Sequence, residues 1–147
     1  MSVFADSSTL AKVYADEEGA DEARRLELVV VSAASRVEVP SALWRKCRDG
    51  TLSELSADLL TREFLADLGG RPGGNFELIV AIPLTAETLD LAAGLVRTHG
   101  LRSMDAIQLA SAKRAREGDT GCQMFSTFDR RLASAALAEG FAPFPSS

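Results

Sequence analysis

Short apolar runs alternate along this chain with segments of helical periodicity, and no other feature of the sequence constrains the fold as much. The apolar runs are rich in β-branched and aromatic residues, as buried strands are, and lie at residues 3–5, 28–31, 77–83, 124–127 and 141–144. Between them, apolar residues recur at spacings of three and four positions. Strands separated by helices predict an α/β fold with a mainly parallel sheet, whose ligands bind beyond the carboxyl ends of the strands.

Start and stop signals locate several of the helices. Ser35 and Glu38 have capping-box spacing and predict a helix start, although Pro40 would cost that helix one hydrogen bond. Ser103 predicts the cap of a later helix. The glycine-rich stretch 69–74 predicts a mobile loop.

Length and composition indicate one globular domain spanning residues 1–147. A chain of 147 residues has the usual size of a domain, and 46% hydrophobic and 25% charged residues exclude a disordered or fibrous chain. Two cysteines outside any CxxC pair and one histidine argue against a disulfide framework and against a zinc site.

The sequence also predicts a cytoplasmic protein with no membrane partner. Its longest apolar stretches, 28–31 and 78–82, are far shorter than the roughly 18 residues of a membrane span. The N-terminus reaches Asp6 without the basic and apolar regions of a secretory signal.

The net charge of −5 argues against a general nucleic-acid binder, but the basic residues are unevenly distributed. Residues 29–50 carry four basic and two acidic side chains, and residues 97–131 carry seven and four. These stretches are either solvated helix faces or positions that contact phosphates.

Four acidic residues stand among apolar neighbours, at or near predicted helix starts: Asp6, Glu38, Asp105 and Asp129. Asp6 and Asp129 also come just after predicted strands, whose carboxyl ends meet at one edge of a parallel sheet. Clustered carboxylates need a compensating cation, and their oxygen atoms suit Mg²⁺ or Mn²⁺. The alternative is that each acid only caps its helix.

The segments around these acids resemble the PIN-domain ribonucleases, specifically VapC-type toxins of bacterial toxin–antitoxin pairs. The matching segments, which follow one another over nearly the whole chain, are residues 3–10 with Lys12 and Tyr14, 35–39, 101–110 and 125–132.

This resemblance implies a PIN-like three-layer α/β/α sandwich and a metal-dependent endoribonuclease that hydrolyses RNA. Its acidic site would be Asp6, Glu38, Asp105 and Asp129, with Ser8 and Thr127 as supporting polar residues. Asp6 and Asp105 would bind Mg²⁺ or Mn²⁺ directly, Asp129 would complete a second position, and Glu38 would ligate metal or orient water. The implied partners are RNA, an antitoxin protein and a second copy of the chain. The candidate phosphate-binding residues are Arg36, Arg45, Lys46, Arg102, Arg130 and Arg131.

Two alternatives belong to other functional classes. In a phosphotransferase, Asp6 would be the nucleophile, but Ser8 occupies the position where a DxD pair needs its second aspartate. In a partner-binding module without catalysis, the acids would be helix caps. A lone His99 before Gly100 is more typical of a turn than of a general base.

Overall fold

The computed structural model describes residues 2–118 and 120–145. The strands within these ranges are β1 (Val3–Ala5), β2 (Leu28–Ser32), β3 (Leu78–Ile82), β4 (Met124–Ser126) and β5 (Ala142–Pro143). The helices are α1 (Ser7–Tyr14), α2 (Ala20–Ala23), α3 (Ser35–Arg48), α4 (Glu54–Leu68), α5 (Ala86–His99), α6 (Ser103–Glu117) and α7 (Arg130–Ala138). No helix in the described ranges is long and apolar enough to cross a membrane.

All the paired strands run parallel, in the order β3-β2-β1-β4-β5. The chain adds strands on one side of β1 up to β3 and then continues on its other side with β4. The strand order therefore reverses between β1 and β4, and open parallel sheets bind their ligands outside the carboxyl ends at such a switch point.

Helices cover both faces of this sheet. Phe4 of β1 and Val30 of β2 point into a core formed with α5, α6 and α7. Their neighbours Val3 and Val29 point to the opposite face, into a core with α1, α3 and α4. This alternation is the two-residue period of a strand buried on both sides. The expected three-layer α/β/α sandwich around a parallel sheet is confirmed.

The predicted helix start at Ser35 is correct, but Ser35 does not form the capping box and Ser103 does not cap α6. Helix α3 begins at Ser35, but its N-cap is Ala34, and helix α6 has Arg102 as its N-cap; neither cap residue makes a side-chain cap bond. The hydroxyl of Ser35 instead lies 3.1 Å from that of Ser7 on α1. Helix α3 continues through Pro40 to Arg48.

The glycine-rich segment after α4, predicted as a mobile loop, is anchored to that helix. Asp67, which is buried, accepts hydrogen bonds from Arg71 Nε at 2.6 Å and Asn75 Nδ2 at 2.8 Å. It also accepts one from the Tyr14 hydroxyl at 2.6 Å, which links the loop to α1. A Cβ on Gly74 would lie 2.2 Å from Asp67 Oδ1, so the backbone approaches this carboxylate closely.

Candidate active site

The structure brings the four predicted acidic residues to one cavity at the switch point. Asp6 follows β1, Asp129 precedes α7 just after β4, and Glu38 and Asp105 lie in the first turns of α3 and α6. The cavity has a volume of about 200 Å³, and its other lining residues are Ser7, Ser8, Ala42, Arg45 and Gln108.

Asp6 is the most deeply buried of the four carboxylates, with 3% of its surface exposed. Its Oδ1 accepts from Thr9 N at 3.0 Å, which caps α1, and from Ser8 Oγ at 2.8 Å. Its Oδ2 accepts from Thr127 Oγ1 at 2.5 Å. Burial raises the pKa of Asp6 to about 6, although these hydrogen bonds oppose the rise. Ser8 and Thr127, predicted as supporting residues, thus both bind this carboxylate.

Glu38 is held by two donors from other helices. Gln108 Nε2 of α6 donates at 2.6 Å and Ser7 Oγ of α1 at 2.9 Å, and both bonds reach Oε1. Among the described residues, Oε2 receives no hydrogen bond. Burial raises the pKa of Glu38, and the negative charge of Asp105 adds to the rise.

Asp105 and Asp129 form the other side of the acidic cavity. Burial raises the pKa of Asp105, and the charge of Asp129 raises it further, while Arg102 and Arg131 oppose both effects. Asp129 is the N-cap of α7, because its Oδ1 accepts from Leu132 N at 2.9 Å. Capping therefore accounts for a hydrogen bond at Asp6 and at Asp129, but for none at Asp105 or Glu38.

The sequence analysis missed Gln108 and Ser7. Gln108 is 2% exposed, donates to Glu38 and Ser7, and has a buried Oε1 that lacks a partner within the described residues. A signal was available for it, since Gln108 follows Asp105 by three residues and so shares its helix face, in an otherwise apolar run. Ser7 offered no such signal.

The donor set of this cavity fits a hard cation, although the carboxylates do not form a tight cluster. In the described part of the chain, no three His, Cys, Asp or Glu side chains come close enough to hold a metal ion between them. Mg²⁺ usually keeps several waters and is bound through one or two carboxylates, so it does not require such a cluster. Burial raises the pKa values of Asp6, Glu38 and Asp105, and neighbouring carboxylates add to the rise at Glu38 and Asp105. A bound cation would oppose these shifts by favouring the charged form of each group.

The predicted basic residues divide between several places. Arg45 lines the acidic cavity itself, and Lys46 lines the cavity next to it. Arg130 and Arg131 line a separate cavity with His99. His99 ends α5 and its Nε2 lies 2.7 Å from Glu139 Oε2, so its hydrogen bond holds α5 to the end of α7.

A parallel sheet between two helix layers, with carboxylates gathered at its switch point, defines an α/β/α protein with an acidic site at the carboxyl edge of the sheet. The sequence profile of the PIN domain matches residues 3–137, and the chain belongs to the PIN domain family. PIN domains are typically metal-dependent nucleases that bind divalent metals such as Mg²⁺, which supports a hydrolase at the level of the family.

The crystal structure of PAE2754 from Pyrobaculum aerophilum shares this fold. It superposes with a TM-score of 0.62 at 19% sequence identity, over 97% of this chain and 83% of that chain. No curated protein matches the sequence.

Proposed function

We propose that this PIN domain is a Mg²⁺- or Mn²⁺-dependent endoribonuclease and the toxin of a VapC-type toxin–antitoxin pair. The observation that carries the nuclease proposal is the meeting of Asp6, Glu38, Asp105 and Asp129 around one cavity at the switch point. The four come from separate segments of the sequence, so helix capping alone gives no reason for them to converge. The toxin assignment rests on the resemblance of their flanking segments to VapC-type proteins.

The carboxylates divide the chemistry between them. Mg²⁺ or Mn²⁺ held here would supply Lewis-acid chemistry, polarising the phosphodiester and lowering the pKa of the attacking water. Asp6 and Asp105 would hold the metal, and Asp129 would complete a second position. Asp6 is preorganised for this role, because Ser8, Thr9 and Thr127 fix its carboxylate in place.

Glu38 is suited to accept the proton of the attacking water. Gln108 and Ser7 fix its Oε1, and Oε2 accepts no hydrogen bond from the described residues, so it remains available to a water molecule. The raised pKa brings this carboxylate nearer to neutral pH, where a general base is most effective. Gln108 is then a positioning residue that acts through Glu38.

RNA cleavage by the purified protein tests the nuclease proposal. A mixed single-stranded RNA should be cut with Mg²⁺ or Mn²⁺ and should stay intact with EDTA. Asp6→Asn should abolish cleavage, because Asn still caps α1 but lacks the charge that binds a cation. The matched control is Asp90→Asn on the exposed face of α5, which should cut like wild type. Cleavage that survives EDTA, or equal activity of Asp6→Asn, would contradict the proposal.

The alternative of a partner-binding module without catalysis makes the opposite prediction. It leaves RNA intact under every metal condition while the protein remains folded. No observation in the structure favours this alternative over the nuclease, since all four acids are present and face one cavity.

A further inference from the structure

A second cavity, of about 390 Å³, opens directly beside the acidic one. It shares four lining residues with it, namely Ser8, Ala42, Arg45 and Asp129. Its remaining lining comes from α1 and the turn after it, from Lys46 in the last turn of α3, from the carboxylate of Asp49 that follows this helix, and from Phe128. We call it the side cavity. When a phosphodiester of an RNA strand lies among the carboxylates, the neighbouring nucleotide of that strand lies within reach of the side cavity.

Phe128 is a partly exposed aromatic residue held at the edge of the side cavity. The residue is 41% exposed, and its backbone N–H donates to Ser8 Oγ at 3.1 Å. Lys12 Nζ lies 4.8 Å from the ring centre. A Cβ on Gly19 would lie 2.6 Å from the ring, so the turn with a φ of 90° at this glycine packs closely against Phe128. These contacts fix the ring, and Phe128 remains partly exposed at the edge of the cavity.

Of the basic side chains around the side cavity, the two lysines form ion pairs and the arginine forms none with a described residue. Glu17 binds the ammonium groups of both Lys12 and Lys46, so its one negative charge offsets one of these two positive charges. Arg45 forms no ion pair with any residue in the described ranges. Because it follows Glu38 by seven residues, two helical turns along α3, it lies on the same helix face and lines both cavities. A guanidinium at this boundary suits a phosphate.

We propose that the side cavity binds one unpaired nucleotide of the substrate strand, with its base stacked on Phe128 and its phosphate paired with Arg45. This inference rests on the proposed nuclease function and adds a nucleotide-binding subsite to it. A base inside a duplex is already stacked between its neighbours, so only a single strand or a loop offers a base face to an aromatic side chain. The side cavity should therefore discriminate an unpaired nucleotide from one inside a duplex.

Binding to a labelled single-stranded RNA of about 12 nucleotides, a length within the site sizes of known single-strand binders, tests this inference. Fluorescence anisotropy is measured with Mg²⁺ in the Asp6→Asn background, which keeps the strand intact if the protein is a nuclease. Phe128→Leu retains an apolar side chain against Gly19 but removes the aromatic face, and it should weaken binding about 10-fold. Phe128→Tyr retains that face and should bind within about twofold of the background protein.

Arg45 gives an independent readout with its own control. Arg45→Met should weaken binding and flatten its dependence on salt, because one phosphate contact is lost. Arg48→Met, an exposed arginine on the same helix that lines neither cavity, should change both much less. Melting temperatures close to that of the parent protein would establish that the variants are folded.

RNA oligonucleotides that each lack the base at one position identify the stacked nucleotide by their loss of affinity. One abasic position should weaken binding to the parent protein but should have little further effect on Phe128→Leu. Equal affinity of the parent and Phe128→Leu for every strand, or equal binding of a duplex, would overturn the inference.

Cleavage and binding of the same RNA, measured side by side, distinguish this inference from the nuclease proposal. Cleavage by the wild type with no effect of Phe128→Leu would refute the nucleotide site while the nuclease stands. Base-dependent binding through Phe128 without cleavage by the wild type would refute the nuclease while the nucleotide site stands.

Discussion

Asp6 uses one carboxylate both to cap α1 and to line the acidic cavity. Its Oδ1 satisfies a backbone N–H at the start of the helix, and its Oδ2 is bound by Thr127 from the loop after β4. Capping and site membership are therefore not alternatives at this residue. Asp105 differs, because it lies in the first turn of α6 without serving as its N-cap.

The raised pKa of Asp6 predicts how the stability of the metal-free protein depends on pH. The pKa rises from 3.8 to about 6 on folding, so the folded state holds the proton more tightly. The resulting stabilisation is complete below about pH 4 and is lost as pH rises through about 6. Two pKa units correspond to about 3 kcal/mol. Urea denaturation in EDTA between pH 4 and 7 should show the unfolding free energy falling, with Asp6 contributing an amount of this order and the raised pKa values of Glu38 and Asp105 acting in the same direction.

Asp6→Asn supplies the comparison for this measurement. Asn keeps the cap of α1 but does not titrate, so the decrease in stability between pH 4 and 7 should be smaller in the variant by about the same amount. Asp90→Asn should follow the wild-type curve. Parallel curves for wild type and Asp6→Asn would contradict the assigned shift.

At the scale of helices and strands, the sequence predicted the elements better than their ends. The runs at 3–5 and 28–31 became β1 and β2 because β-branched and aromatic side chains fill a sheet buried on both faces. The cap at Ser35 failed because its hydroxyl binds partners on other elements, Ser7 and Gln108. Such tertiary partners are invisible in a local pattern.

The glycine-rich segment illustrates the same limit. Its composition predicts a mobile loop, yet a single buried carboxylate, that of Asp67, organises it. Burial would raise the pKa of Asp67, but hydrogen bonds from Tyr14, Asn75 and Arg71 outweigh burial and lower it. The loop is thus fixed by an acid that precedes it in α4.

Removing this anchor should destabilise the fold through α4 and its loop. Asp67→Ala leaves the buried Tyr14 hydroxyl without its acceptor and frees Asn75 and Arg71, so we expect a loss of about 2–3 kcal/mol. Asp58→Ala removes an exposed ion pair with Arg62 on the same helix and should cost under about 1 kcal/mol. Chemical denaturation compares the two, and equal losses would show that the anchor contributes no more than a surface pair.

On the scale of the whole molecule, the general location of the candidate site was predictable and its detailed composition was not. Parallel strands bring their carboxyl ends to one edge, so acids after β1 and β4 had to be neighbours. The approach of α3 and α6 depends on how the helix layers pack. For that reason the hydrogen bonds by which Gln108 and Ser7 join Glu38 to α6 and α1 emerged only from the structure.

The proposed toxin role predicts an effect on a living cell that depends on the acidic cavity. Induced expression of the wild type in a bacterial host without an antitoxin should slow growth, because an active endoribonuclease degrades RNA that the host needs. Asp6→Asn should relieve the slowing, since it removes a charge needed for the metal while preserving the cap of α1. Asp90→Asn should remain as inhibitory as wild type. Growth curves at matched protein levels measure the effect, and undiminished inhibition by folded Asp6→Asn would show that the toxicity arises elsewhere on the protein.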